Sequence, residues 1–125
     1  MHKFSFTLAF IWTLVILIGC LTSSKNIQSV DIPILGYDKV LHALLYFALV
    51  ILWLFYFYVT KTLSTKKYFL VFLSCFFYGV LIEVLQHVLT QDRTADVFDV
   101  LANTLGLLLG LLTFKQLIKF RSKAN

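Results

Sequence analysis

Four stretches of mostly apolar residues, at about positions 4–21, 40–59, 68–89 and 96–114, govern what this chain can fold into. Crossing the hydrocarbon core of a bilayer takes roughly 20 such residues in helical form. Lipid offers the backbone no hydrogen bonds, so a stretch that crosses must satisfy its own N–H and C=O groups, and a helix does this. The reading is therefore an all-α integral membrane protein, a four-helix bundle in one domain over residues 1–125. Composition agrees: 60% of residues are hydrophobic and 14% charged, where soluble domains run near half and a quarter. A net charge of +5 would point to nucleic acid in a soluble protein. Here the basic residues sit between and after the apolar runs, so the expected partner is the bilayer and not nucleic acid. One Pro and five Gly leave no flexible linker. Cys20 and Cys75 both fall inside apolar runs, without metal-site spacing, and no disulfide is read from them. The short connection at 60–67 makes the second and third segments an antiparallel hairpin.

Charge sets the expected orientation, because cytoplasmic loops are enriched in Lys and Arg. Lys3, Lys61, Lys66, Lys67, Lys115, Lys119, Arg121 and Lys123 fall on one side, and Lys25, Lys39 and Arg93 on the other. Both termini are thus expected in the cytoplasm, with the basic tail against the anionic inner leaflet. Asp31, Asp38, Asp92, Asp96 and Asp99 all fall toward the opposite, outer side. The head of the chain allows a second reading. Lys3, an apolar run and Leu17-Ile18-Gly19-Cys20 are similar to a bacterial lipoprotein signal, with Cys20 the lipidated residue. The alternative is a plain first helix with a cysteine near its end.

The polar residues within the apolar segments carry the functional information, since an ionisable group costs roughly 3 kcal/mol at the bilayer centre. Asp38, Lys39 and His42 open the second segment, and the i, i+4 spacing of Asp38 and His42 puts them on one helix face. Asp38 also suits a plain helix N-terminus, and His42 a plain hydrogen bond to a backbone carbonyl. Glu83, Gln86 and His87 share a face of the third segment, with Glu83 about 9 Å inside its outer end. A carboxylate at that depth needs a partner or a proton; a buried anchor between helices is as good a reading as a catalytic one. Asp96, Asp99 and Asn103 follow i, i+3, i+7 on the fourth segment, which puts Asn103 at the depth of Glu83, so that the two can meet. The same face continues through Gly106 and Gly110, a Gly-x-x-x-Gly spacing that lets another helix approach closely. Arg93 suits either a pair with Asp92 or Asp96, or an anionic group of a ligand.

Singly these signals are weak. Together they deliver Asp38, Lys39, His42, Glu83, Gln86, Arg93, Asp96, Asp99 and Asn103 to one leaflet, while the other halves of the same segments are apolar or aromatic.

The pattern Asp38-Lys39-x-x-His42, Gly79-x-x-x-Glu83-x-x-Gln86 and Arg93-x-x-Asp96-x-x-Asp99-x-x-x-Asn103-x-x-Gly106-x-x-x-Gly110 resembles the VanZ-like membrane proteins. The resemblance runs from the first segment through Gly110; His87 and Asp92 fall outside it. It implies a bacterial four-helix protein of the cytoplasmic membrane, in a family named for a protein linked to resistance to teicoplanin, a glycopeptide antibiotic.

Three functional readings follow. In the first, an envelope protein binds or remodels a lipid-linked or peptidoglycan-related component at the outer leaflet, with an effect on teicoplanin susceptibility. Arg93 and Lys39 would hold anionic groups, and Asp96, Asp99 and Glu83 would orient them. In the second, the chain is a membrane hydrolase or transferase on a lipid. His42, Glu83 and Asp99 are its candidate catalytic residues, with carboxylates able to hold a divalent cation. No nucleophile elbow, His-Glu-x-x-His pattern or phosphate loop accompanies them. In the third, the cluster is interhelical glue in a structural or partner-binding protein, where each hydrogen bond is worth about 0.6–2 kcal/mol. A proton or ion path fits less well, because no ionisable relay continues toward the cytoplasmic side.

Overall fold

The computed structural model describes residues 1–22, 37–89 and 96–124. They form α1 (His2–Thr22), α2 (Tyr37–Val59), α3 (Thr65–Leu89) and α4 (Val97–Ala124), with no strand among them. All four helices are long and apolar enough to cross a membrane. The expected segments are all present, each somewhat longer than its apolar run. The largest difference is α4, which continues ten residues beyond position 114. Hydropathy marks where apolar surface ends, not where backbone pairing ends. The Lys, Gln, Leu and Arg of this tail are good helix formers, and Arg121 and Lys123 in the last turn suit the negative end of the helix dipole.

Local chemistry places the helix ends. Asp96 stands just outside α4: its Oδ1 accepts the Phe98 N–H at 2.8 Å, and its carbonyl accepts the Asp99 N–H at 3.0 Å. It is thus an N-cap. At the far end of α2, the Thr62 N–H donates to the Phe57 carbonyl and the Lys61 N–H to the Tyr58 carbonyl, both at 3.0 Å. This double closure is a Schellman motif, with Lys61 at φ 57° in the position that usually holds glycine. Ser64 then opens α3, its carbonyl accepting the Tyr68 N–H at 3.1 Å.

α2 and α3 form the inner pair, each packing against every other helix, while α1 and α4 do not meet among the described residues. The α1–α2 pairing is antiparallel. Phe6 near the start of α1 stacks edge-on against Trp53 and Tyr56 near the end of α2, and the Trp12 indole donates to the Leu45 carbonyl at 3.1 Å. α2 and α4 run parallel and pack backbone to backbone. A Cβ on Gly106 would collide with the carbonyl of Ala43, and one on Gly110 would come within 2.5 Å of Val50 Cγ1 and 2.8 Å of the Phe47 carbonyl. The chain's two ends therefore lie at the same end of the bundle.

The exterior differs from a water-soluble protein's, and polar groups join the apolar core inside. Leu44, Phe69, Phe77, Leu81, Leu101, Leu105 and Leu112 all face outward, more than half exposed. His42, Glu83, Gln86, Asp99 and Asn103 are each under 5% exposed. Such an apolar exterior would drive aggregation in water and suits hydrocarbon, where polar side chains turn to the bundle interior.

Candidate functional site

The polar residues gather at the end of the bundle opposite the chain termini, where α2 and α4 begin and α3 finishes. The first turn of α2 carries Asp38 and Lys39, and His42 follows one turn on. α4 presents Asp99 in its first turn and Asn103 one turn deeper, with Asp96 at its cap. The close seam at Gly106 and Gly110 brings these two helix starts side by side. The Lys39 ammonium bridges both carboxylates of α4, at 2.8 Å from Asp96 Oδ2 and 3.0 Å from Asp99 Oδ1. It also sits 5.9 Å from the centre of the Phe98 ring. Asp99 is only 5% exposed at its side chain, against 40% for Asp96. The inner of the two acceptors is thus desolvated and the outer one wet.

Beneath this pair, His42 Nδ1 donates to Asn103 Oδ1 at 3.2 Å. A carboxamide oxygen only accepts, so the proton is on Nδ1. In the neutral ring Nε2 then keeps a lone pair. It faces Asp38 Oδ1 at 3.7 Å, too far for a hydrogen bond. Asp38, His42 and Asp99 each bring one donor atom to within 4.8 Å of the other two. Among the described residues they are the group of three His, Cys, Asp or Glu side chains close enough to share a cation. The Asn103 Nδ2 is buried and makes no hydrogen bond. Spacing along the chain lets Glu83 and Asn103 meet, but the described bond of the Asn103 carboxamide is to His42. Glu83 lies buried on α3, one turn before Gln86.

Gln86 has a definite structural bond. Its Nε2 donates to the Cys20 carbonyl at 2.8 Å, one of the last four carbonyls of α1, which have no partner within their own helix. The polar end of α3 is thereby tied to α1. The Cys20 side chain is buried and lies within the continuous first helix. Arg93, expected at the site from its spacing, lies outside the described residues, as do Lys25, Asp31 and Asp92.

Tyr46 was not among the residues singled out from sequence. It lies one turn below His42, fully buried, with a hydroxyl that makes no hydrogen bond. A Cβ on Gly79 would meet its ring at 3.1 Å, so glycine there makes room for the tyrosine. The available signal is the recurrence of Asp38, His42 and Tyr46 at every fourth position, hidden by the general aromatic content of the segment.

A cavity of about 350 Å³ lies away from this cluster, between α1, α2 and α3, with Leu49, Trp53, Leu70 and Val71 in its walls. Its charged residue, Lys67, rests 4.6 Å above the Phe57 ring. The ionisable chemistry is therefore in the polar cluster and not in this cavity.

Four spanning-type helices around a buried ionisable cluster define a multi-pass membrane protein. The VanZ/LLP1 family model matches residues 3–119, and the chain belongs to that family. No curated protein and no solved structure matches it.

Proposed function

We propose that this protein sits in the cytoplasmic membrane of a bacterium with both termini inside, and binds or remodels an anionic, lipid-linked or peptidoglycan-related envelope component at the outer leaflet. An effect on teicoplanin susceptibility is the physiological outcome this reading expects. The observation that carries it is the sorting of buried polarity: His42, Glu83, Gln86, Asp99 and Asn103 lie at one end of the bundle, where α2, α3 and α4 come together. Membrane hydrogen bonds are worth about 0.6–2 kcal/mol, a small return for burying this many costly groups. Glue alone would also use its donors, yet Asn103 Nδ2 and the Tyr46 hydroxyl are buried without a hydrogen bond. A ligand with acceptor oxygens would employ them. Lys39, and Arg93 from the following connection, supply the positive charge for phosphate or carboxylate groups.

The test is native mass spectrometry of the protein in lipid nanodiscs with lipid-linked cell-wall precursors, phospholipids and teicoplanin. The wild type should retain one class of these, and a Glu83→Gln, Arg93→Ala double variant should lose it. Equal retention by both, or none by either, would favour the structural reading.

A further inference from the structure

We infer that the mouth of this cluster is a divalent-cation site, with His42 Nε2, one oxygen of Asp38 and one oxygen of Asp99 as its protein ligands. The inference deepens the proposed function and rests on the same cluster being a ligand site. Four observations support it. The three donor atoms already lie within 4.8 Å of one another. Bonds of about 2.1 Å set neighbouring donors about 3.0–3.4 Å apart. Closing that difference moves the Asp38 side chain, which is 54% exposed in the first turn of α2.

The second observation is the state of the histidine. A metal-bound imidazole coordinates through one nitrogen and gives the N–H of the other to an oxygen acceptor, which fixes the tautomer. His42 has this arrangement: Nδ1 donates to Asn103 Oδ1 at 3.2 Å, and Nε2 points toward Asp38 without a hydrogen bond to it. A histidine serving only as a packing element would more simply bond through both nitrogens or face lipid.

Charge is the third. Asp38 and Asp99 each bring a carboxylate to the donor set, two negative charges that match a divalent ion. Lys39 occupies Oδ1 of Asp99, which leaves the other Asp99 oxygen for the ion.

The fourth is independent of the donor set. Asn103, 2% exposed, turns its carboxamide toward His42 and leaves Nδ2 without a partner. An oxygen of a ligand bound in the cluster would give that donor an acceptor. One nitrogen and two carboxylates make a mixed donor set that suits Zn²⁺ or Mn²⁺ better than Ca²⁺. With three protein ligands, positions stay open for water or for the phosphate oxygen of a substrate, as in catalytic metal sites.

The experiment uses the full chain in nanodiscs, stripped with chelator and titrated with Mn²⁺, with spin-resonance detection of bound ion. One Mn²⁺ should bind per chain, and its spin-echo spectrum should show coupling to a single imidazole nitrogen. Zn²⁺ should displace it. His42→Gln should remove the nitrogen coupling and weaken binding at least tenfold. Asp38→Asn, a change at an exposed side chain that leaves the fold alone, should also weaken it at least tenfold. Asn103→Leu should cost roughly 10–100-fold while leaving the ligands in place. Lys39→Met removes the competing ammonium and should tighten binding. Absence of stoichiometric Mn²⁺, or bound Mn²⁺ without nitrogen coupling, overturns the inference. Binding that survives Asp38→Asn unchanged overturns it too. The two readings fail separately. An ion bound with no envelope component retained sinks the proposed function and keeps the cation site. An envelope component retained equally by stripped and loaded protein, with no ion bound, does the reverse.

Discussion

The two ends of this bundle are held together in different ways. From the middle of the bundle toward the polar end, α2 and α4 touch backbone to backbone at Gly110 and Gly106, and ionic and amide contacts cross the seam above. At the other end, large rings fill the gaps. Phe6 meets Trp53 and Tyr56 edge-on, and Phe114 meets Tyr58 and Tyr68. Trp53 donates to the Thr13 hydroxyl at 3.2 Å and Tyr78 to the Thr13 carbonyl at 2.6 Å, so the amphipathic rings there also find partners. Ring packing tolerates change because a smaller ring or a shifted one still fills most of the space. A backbone seam does not. The seam is thus the rigid part, and rigidity is what a site needs to hold His42 of α2 and Asp99 of α4 at fixed separation.

The strongest way to break the comparison is at the seam. Gly106→Ala would set a Cβ against the Ala43 carbonyl, a group that cannot rotate away. The expected loss is about 3 kcal/mol or more, at the upper end of overpacking costs, read as a large fall in thermal unfolding temperature in detergent. Gly19→Ala is the control, since nothing lies within 4 Å of the added atom. There the helix propensity of alanine should leave stability unchanged or raise it by up to about 1 kcal/mol. Equal effects at the two positions would remove the argument that the seam organises the polar end.

Next in size is Asp99→Asn, which keeps the shape and removes the charge. Lys39 retains Asp96, so no ion is stranded, and its partial exposure reduces what the pair is worth. A loss of about 1–2 kcal/mol is expected, together with loss of the retained envelope component and of Mn²⁺. The matched change at the aromatic end is Phe114→Leu. It gives up two edge-on ring contacts, for about 1 kcal/mol, and should leave ligand and ion retention as in the wild type. A Phe114→Leu protein that folds but loses the ligand would show that the two ends are not separate in function.

Much of this division was legible in the chain itself. The four apolar runs marked the helices because runs of about 20 apolar residues satisfy their backbone in hydrocarbon as helices, and Gly106 and Gly110 marked the seam because only glycine permits that approach. Asp38, His42, Asp99 and Asn103 were legible because polarity in a membrane segment needs a reason. Periodicity placed Asp96 on a face of α4, and it proved to be the cap one residue outside, since a cap and a first-turn acid look alike in spacing. Spacing also put Glu83 and Asn103 at one depth but could not rank histidine above glutamate as the partner of Asn103, because helix rotation is set by packing across the seam. Tyr46 escaped because an aromatic in an aromatic helix carries no contrast; its role depends on Gly79 opposite, a tertiary fact.

The smallest expected effect sharpens the comparison from the connection between α2 and α3. Lys61 closes α2 with φ 57°, in the left-handed region that costs a side-chain-bearing residue roughly 1 kcal/mol or more. Its neighbours make the position obligatory, because the Thr62 and Lys61 N–H groups reach back to Phe57 and Tyr58 only with that turn. Lys61→Gly relieves the strain but loosens the unfolded chain, and should raise stability by about 0.5 kcal/mol. If positive charge on this connection outweighs backbone strain, the same variant should instead change how the protein sits in the membrane. Cysteine labelling of both termini from each side of sealed vesicles separates the two outcomes. Unchanged topology with a higher unfolding temperature means that the aromatic end tolerates strain because nothing at that end has to be held in register. Mixed topology means that Lys61 is kept for its charge, as one of the basic residues expected to hold this end of the bundle in the cytoplasm.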